Sequence, residues 1–299
     1  MATPPATIAI SYKVPKRRHP ALAFALQQPL GAAGLAVILL MILAAVLARW
    51  VAPYDPLTVD YGGILAPPSR EHWLGTDNFG RDVFSRIVYG SQTALSVGFL
   101  SSLIGSTLGA IIGVASAYFG GRVDMVIQRL MDIILAFPII VLALAVVAVL
   151  GKNVVLGIDW NLIIAIGLPM VPKVARVVRS SALAVREMPY IDAARTAGFS
   201  HARIIFRHIV PNVVAPYLIM LTAFVGQAIL LEASLSFLGL GVTEPTPAWG
   251  LMLSGSAIDF YQQAPWMIVF PGLAISLAVF AFNLFGDSLR DWLDPKIKI

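Results

Sequence analysis

Five windows of this sequence contain no Asp, Glu, Lys or Arg, and they approach or exceed the roughly 20 apolar residues that a helix needs to cross a bilayer core. They run from Ala21 to Ala48, Ile87 to Gly121, Ile133 to Gly151, Ile209 to Leu231 and Phe260 to Gly286. A sixth, weaker window runs from about Val154 to Pro172, interrupted by Asp159 and carrying Pro169. The whole chain is 58% apolar and 12% charged, where soluble domains carry about 25% charged residues. Barrel strands would alternate over about ten residues, whereas these windows are apolar on every side. The sequence therefore predicts an all-α polytopic membrane protein with six transmembrane helices.

In such a protein the distribution of basic residues matters more than the net charge of +5, because Lys and Arg are retained on the cytoplasmic side. If six helices start from an inside N-terminus, the inside segments collect Lys13, Lys16, Arg17, Arg18, Arg122, Arg129, Lys173, Arg176, Arg179, Arg186, Arg195, Arg203, Arg207, Arg290, Lys296 and Lys298. Only Arg49, Arg70, Arg81, Arg86 and Lys152 remain outside. Both termini are thus expected in the cytoplasm. The polar first twenty residues and the long span after them predict an uncleaved first helix rather than a signal peptide. With no cysteine, disulfides and thiolate chemistry are excluded.

Between the spans, the first outside loop, about Val51 to Tyr89, mixes Pro, Gly, aromatics and both signs of charge, and is expected to fold as a cap. Gly105, Gly109 and Gly113 repeat at the spacing that lets a second helix approach closely in lipid. Packing within the chain is the simpler reading, contact with another subunit the alternative. Pro138 is expected to bend the third span, since it removes a backbone donor and clashes one turn back. From Lys173 to Asn212 the chain is basic and too polar for hydrocarbon. Within it Pro189 can start a short helix, Asp192 sits in its first turn, and Gly198 can end it. Ala193, Ala194 and Ala197 would give that helix a small-residue face, suited to a groove on a partner or simply to the headgroup surface.

Several chemistries have no residues to carry them. No phosphate-cradling G-x-x-x-x-G-K-[ST] loop is present, since Gly151-Lys152 lacks the upstream glycine and the following hydroxyl. Gly239-Leu240-Gly241 is not completed to a dinucleotide fingerprint, and His19, His72, His201 and His208 are scattered. The chain is accordingly expected to bind neither nucleotide, cofactor, metal nor nucleic acid. Glu232 stands out because it follows a long charge-free run, and an intramembrane carboxylate is costly. It either serves a gate or pathway, together with Gln227 and Asn283, or pairs with Arg81 or Arg86 of the cap. Asp132 and Asn161 are further polar groups at the edges of the spans.

At Tyr190-Ile191-Asp192-Ala193-Ala194-Arg195-Thr196-Ala197-Gly198, continuing to Arg207-His208-Ile209-Val210-Pro211-Asn212, the chain resembles the E-A-A-x-x-x-G loop of binding-protein-dependent ABC importer permeases. Further stretches are similar to the C-type permease of the dipeptide, oligopeptide and nickel transporter group: His72 to Asp82, including Gly75, Asp77, Gly80, Arg81 and Asp82; Tyr118 to Gly121; Leu235 to Gly241; Pro245 to Gly250; and Gly286 to Pro295. Together they extend in order over most of the chain. The resemblance implies a type I ABC importer permease fold. Residues 1–30 would be a cytoplasmic tail, 31–91 the first helix and cap, 92–286 the shared transmembrane core with a coupling loop at about 181–212, and 287–299 a cytoplasmic tail.

It also implies a second, B-type permease, one or two cytoplasmic ATPase subunits that bind ATP and Mg, an extracytoplasmic solute-binding protein and a surround of membrane lipid. Coupling to the ATPase would fall to Tyr190, Asp192, Ala193, Ala194, Arg195, Gly198, Arg207 and Pro211. The first position of the motif is Asp192 rather than the usual Glu, which draws the carboxylate about one methylene closer to the backbone. The solute is left open among di- or oligopeptide, glutathione, nickel chelate, opine and sugar derivative. A channel or a scaffold subunit is the reading from another class.

Overall fold

The computed structural model describes residues 20–155 and 157–293. The tail residues Lys13, Lys16, Arg17, Arg18, His19, Asp294, Pro295, Lys296 and Lys298 lie outside the described residues. Helices α1 (Pro20–Gln27) and α2 (Pro29–Val46) meet at Gln28, with Pro29 at the first helical position, where its missing N–H costs nothing. A single turn, α3 (Ala48–Val51), leads into the cap. Asp82 then caps α4 (Val83–Phe119), its Oδ2 accepting from the Ser85 N–H at 2.7 Å. At 37 residues α4 is about 55 Å long and outreaches the bilayer core.

Gly120, at φ +63°, ends α4 and opens α5 (Gly121–Leu135). Pro138 does more than bend the next span. It caps α6 (Ile139–Leu150), and α5 and α6 meet at 92°. A two-residue hairpin of β1 (Val154–Val155) and β2 (Ile158–Asp159) follows, and Asp159 caps α7 (Trp160–Gly167). Asn161 ties this start back to the end of α6 by donating to the Leu150 carbonyl at 3.0 Å.

The weak sixth window proves to be part of a longer element. A short 3₁₀ turn over Leu168–Met170 carries α7 into α8 (Val171–Arg186), and the combined run of 27 residues is apolar and long enough to cross a membrane. The first part of the basic stretch thus belongs to a span. Val174, Ala175, Val178 and Ala182 are buried, while Lys173 and Arg176 face outward. This amphipathic spacing was masked in the sequence by the run of basic residues.

After α8 come α9 (Pro189–Thr196), α10 (His201–Ile204), a π turn over Ile205–Ile209, and α11 (Val210–Phe237). The cap end is completed by α12 (Trp249–Met252) and α13 (Ser256–Asp259), and α14 (Trp266–Leu293) closes the described chain. Among the described residues, five helical runs are long and apolar enough to cross a membrane, six if α5 and α6 count as one broken span.

Helix α4 is the axis of the bundle. A methyl group on Gly105 would stand 2.5 Å from the Gly167 carbonyl oxygen, one on Gly109 2.7 Å from that of Val171, and one on Gly113 2.5 Å from that of Ala175. The small-residue repeat therefore packs α4 backbone to backbone on α7 and α8 within the chain. In lipid, where burying apolar surface brings no advantage, such close packing is what holds helices together. Gly34 does the same for α2 on α14, 2.6 Å from the Ala281 carbonyl.

Candidate functional site

Two regions bring together the side chains singled out in the sequence, one at each end of α4. The first is the hairpin built by α9, α10 and the π turn. Pro189 starts α9 and Asp192 lies in its first turn. The helix ends where the Phe199 N–H reaches back to the Ala194 carbonyl at 3.1 Å, a closure that needs Gly198 at φ +77°.

Ile191 and Ala194, three residues apart, face the core, whereas Tyr190, Asp192, Ala193, Arg195, Ala197 and Gly198 are exposed. Ala194 is thus not part of the outward small-residue face expected from the sequence. The helical period splits the alanines, leaving Ala193 and Ala197 outside, with open space beside Gly198. Asp192 accepts from Arg195 at 2.9 Å, with both side chains exposed, so their pairing contributes little to stability.

Arg207 and Pro211 lie just beyond, both exposed. Pro211 has no N–H to offer the carbonyl four residues back, and the backbone widens into the π turn before α11 begins. The Asn212 side-chain amide donates to the His208 carbonyl at 2.6 Å. The rings of Phe199 and Tyr190 lie 6.2 and 6.1 Å from that of His208, and the Arg203 guanidinium stands 4.9 Å over Phe199.

The second region is the cap. Gly75 and Gly80 adopt φ of +75° and +73°. A side chain on Gly80 would collide with the Asp60 backbone, so the loop closes only with glycine there. Asp77 accepts from the N–H groups of Phe79 and Arg81 and from Arg81 Nε at 2.6 Å, and Asp82 takes His72 Nδ1 at 3.0 Å. The rest of the Arg81 guanidinium reaches across to Glu244, with Nη1 donating to Oε2 at 2.9 Å and Nη2 to Oε1 at 3.3 Å. Arg86, buried to 1% exposure, donates to the same carboxylate at 3.4 Å and to the Pro56 carbonyl at 3.2 Å. Burial by itself would lower the Arg81 pKa, but the Glu244 and Asp77 carboxylates outweigh it and hold the pKa above the ordinary arginine value.

These contacts decide against one of the two readings of Glu232, its pairing with Arg81 or Arg86. Arg81 and Arg86 turn to Glu244, while Glu232 is buried at 1% exposure and accepts from Ser236 Oγ at 2.6 Å. Ser236 in turn accepts from the Val242 N–H at 3.0 Å, linking Glu232 to the turn that leaves α11. Nor do Glu232, Gln227 and Asn283 form one cluster. Asn283 Oδ1 approaches the Gly226 position beside Gln227, while Glu232 lies more than one turn further along α11. Asp132 is met by Arg176 on α8.

Glu244 was missed in the sequence, although it is the sole carboxylate between Glu232 and Asp259 and so the natural counter-ion for that loop. Also unforeseen was the contact of Tyr118 Oη with His201 Nδ1 at 2.6 Å, which joins the end of α4 to the basic hairpin. Among the described residues, no group of three or more His, Asp or Glu side chains is placed to hold a metal ion.

A family model described as the binding-protein-dependent transport system inner membrane component matches residues 105–299, and one described as the N-terminal TM domain of oligopeptide transport permease C matches residues 25–68. The dipeptide transport system permease protein DppC of Alkalihalophilus pseudofirmus is 46% identical over 265 residues, covering 89% of this chain and 85% of that protein. The glutathione transport system permease protein GsiD of Escherichia coli O6:K15:H31 is 44% identical over 262 residues, covering 87% and 84%. A chain of the MetNI methionine ABC transporter in an inward facing conformation superposes with a TM-score of 0.54 at 16% identity, covering 70% of this chain and 96% of that one. At that identity the likeness speaks for the fold alone.

Proposed function

Because the chain belongs to the family of binding-protein-dependent transport system inner membrane components, we propose that its α9 hairpin is the coupling element through which partner ATPase subunits drive solute across the membrane. The chain is the permease of an ABC importer, and ATP hydrolysis belongs to its partners. The observation that carries the coupling reading is the split of α9, with Ile191 and Ala194 anchored in the core while Ala193, Ala197 and Gly198 present a small, open face. A face without long side chains lets a groove on another protein close around the helix backbone. Tyr190, Asp192 and Arg195 supply polar contacts at its edge, and Arg207 and Pro211 flank it.

In this reading the end of the bundle that bears the hairpin is cytoplasmic, as are both termini, and the cap faces the extracytoplasmic binding protein. A second, B-type permease forms the other half of the pathway, with one or two ATPase chains beneath. Residues 31–91 are the first helix and cap and 92–286 the transmembrane core, with two shifts at the expected boundaries: α2 begins at Pro29 and α14 runs on to Leu293. Closure of the ATP-loaded dimer moves the hairpin, the bundles rock to open the pathway outward, and hydrolysis resets them inward. Binding at one site thereby biases a two-state element at another. Glu232, Gln227 and Asn283 are the polar groups proposed for the gate and pathway. The solute is a di- or oligopeptide or a related compound such as glutathione, in line with the names of the relatives.

The test is to tag the chain, solubilise native membranes gently and recover the complex with and without a non-hydrolysable ATP analogue. Recovery of a second permease, ATPase chains and a solute-binding protein is expected, and the solute on that binding protein names the substrate. Ala197→Trp is expected to lose the ATPase chains while leaving the permease folded, because Ala197 is exposed and sits at an ordinary helical φ of −71°. Full recovery of the ATPase with Ala197→Trp would remove the hairpin from the role given to it.

A further inference from the structure

We infer that Tyr118 is a positioning residue for transport: through its hydrogen bond to His201 it makes the α9–α10 hairpin and the long helix α4 move as one body. The inference rests on the reading of α9 as the coupling helix. It concerns how displacement of the hairpin reaches the far end of the molecule.

Apolar residues form most of the seat under the hairpin. Ile191 and Ala194 of α9 and Ile204 of α10 share one core with Ala117 and Tyr118 of α4 and with Val178 and Ala182 of α8. Contacts of that kind are non-directional and resist separation more than sliding. A directional bond is needed to set register, and Tyr118 supplies it. Its ring is 7% exposed, its hydroxyl lies 2.6 Å from His201 Nδ1, and the two rings meet edge-on at 5.6 Å. The other ties of the hairpin lead elsewhere: Tyr190 and Phe199 lie against His208, which belongs to the π turn and so to α11.

What Tyr118 holds is itself rigid. Arg186 of α8 donates to the Ala117 carbonyl at 2.8 Å, and Ser116 reaches Asp124, which also takes the Arg179 guanidinium through two bonds. The end of α4 is therefore fixed to α5 and α8, and the three glycines fix its middle to α7 and α8. At its other end Asp82, through His72, and Arg86, through Pro56 and Glu244, fix it to the cap. A displacement delivered at Tyr118 is carried by one continuous helix to the opposite surface. Without the bond the hairpin can slide on its apolar seat while the ATPase turns over.

The absence of cysteine makes this measurable. Lys152→Cys and Thr246→Cys, both exposed and lining one cavity of about 370 Å³ at the cap end, give a pair of spin-label sites with no competing cysteine in this chain, to be combined with cysteine-free partner subunits. In the full transporter reconstituted in nanodiscs, trapping with ATP and vanadate is expected to shift the distance between them. Tyr118→Phe keeps the ring and is expected to leave ATPase recovery and turnover unchanged, yet to reduce the shifted population about threefold or more, the scale of one lost hydrogen bond. His201→Leu should do the same, and the double variant should be no worse than either single one. His201→Asn, which offers a polar atom near the place of Nδ1, should restore the shift.

A wild-type shift in both Tyr118→Phe and His201→Leu overturns the inference. Additive losses in the double variant overturn it as well, since they would assign the effect to packing. Failure of the unmodified transporter to respond to nucleotide overturns the coupling reading and this inference with it.

Discussion

The cap and the α9 hairpin stand at opposite ends of α4, and they use charge in opposite ways. In the cap, Asp77, Arg81, Arg86 and Glu244 face one another, three of them buried, and their charges cancel within the chain. In the hairpin, Asp192, Arg195, Arg203 and Arg207 point outward, and among the described residues the one ion pair they form is Asp192–Arg195, on the exposed surface. Both regions are polar in sequence, yet one closes on itself and the other is left open. A region that satisfies its own charges is built for stability. One that leaves its polar groups in water keeps them available for a partner.

Substitutions in the two regions should therefore be read by different assays. The largest effect is expected for Arg81→Ala, which takes from buried Asp77 its closest cation, leaving only Arg86 at 3.8 Å, and should cost about 3–5 kcal/mol in a thermal unfolding measurement in detergent. An unchanged melting temperature would mean that the cap charges are not mutually dependent. Next, Ala193→Trp should leave that melting temperature alone while weakening recovery of the ATPase about 30-fold, as for a blocked interface centre. Loss of stability instead would show that this face of α9 is occupied by the chain itself.

Smaller effects sharpen the same contrast. Asp82→Ala removes the cap of α4 and should cost about 1–2 kcal/mol, read again as melting temperature. Asp192→Ala should change stability by less than about 1 kcal/mol, because its pairing with Arg195 is exposed. If Asp192→Ala destabilised the protein as much as Asp82→Ala, the hairpin would be as self-contained as the cap.

Sequence and structure agree most closely where long charge-free windows or local chemistry decide the outcome. The windows around α2, α4, α11 and α14 emerge as spans, and Pro189 and Gly198 bound α9 as their backbone preferences require. Agreement is weaker where two signals compete. The basic residues of α8 concealed its buried face, and Pro138 produced a 92° break rather than a bend. For the candidate site, the hairpin residues were legible because they are contiguous. The Arg81–Glu244 contact, spanning 163 positions, and the Tyr118–His201 contact, spanning 83, were not, since nothing local in either partner names the other.

The sequence by itself determined that this protein lives in a membrane as a helical bundle, because hydrocarbon tolerates no long run of backbone whose polar groups are unpaired and only helices satisfy them locally. It also marked the loop motif from which the family could be read. Tertiary structure alone decided that the Gly105, Gly109 and Gly113 repeat meets α7 and α8, that Ala194 turns inward while Ala193 turns outward, and that Glu244 rather than Glu232 balances the cap arginines. Each of these depends on which surfaces meet when helices pack, and helical periodicity limits those choices without selecting among them.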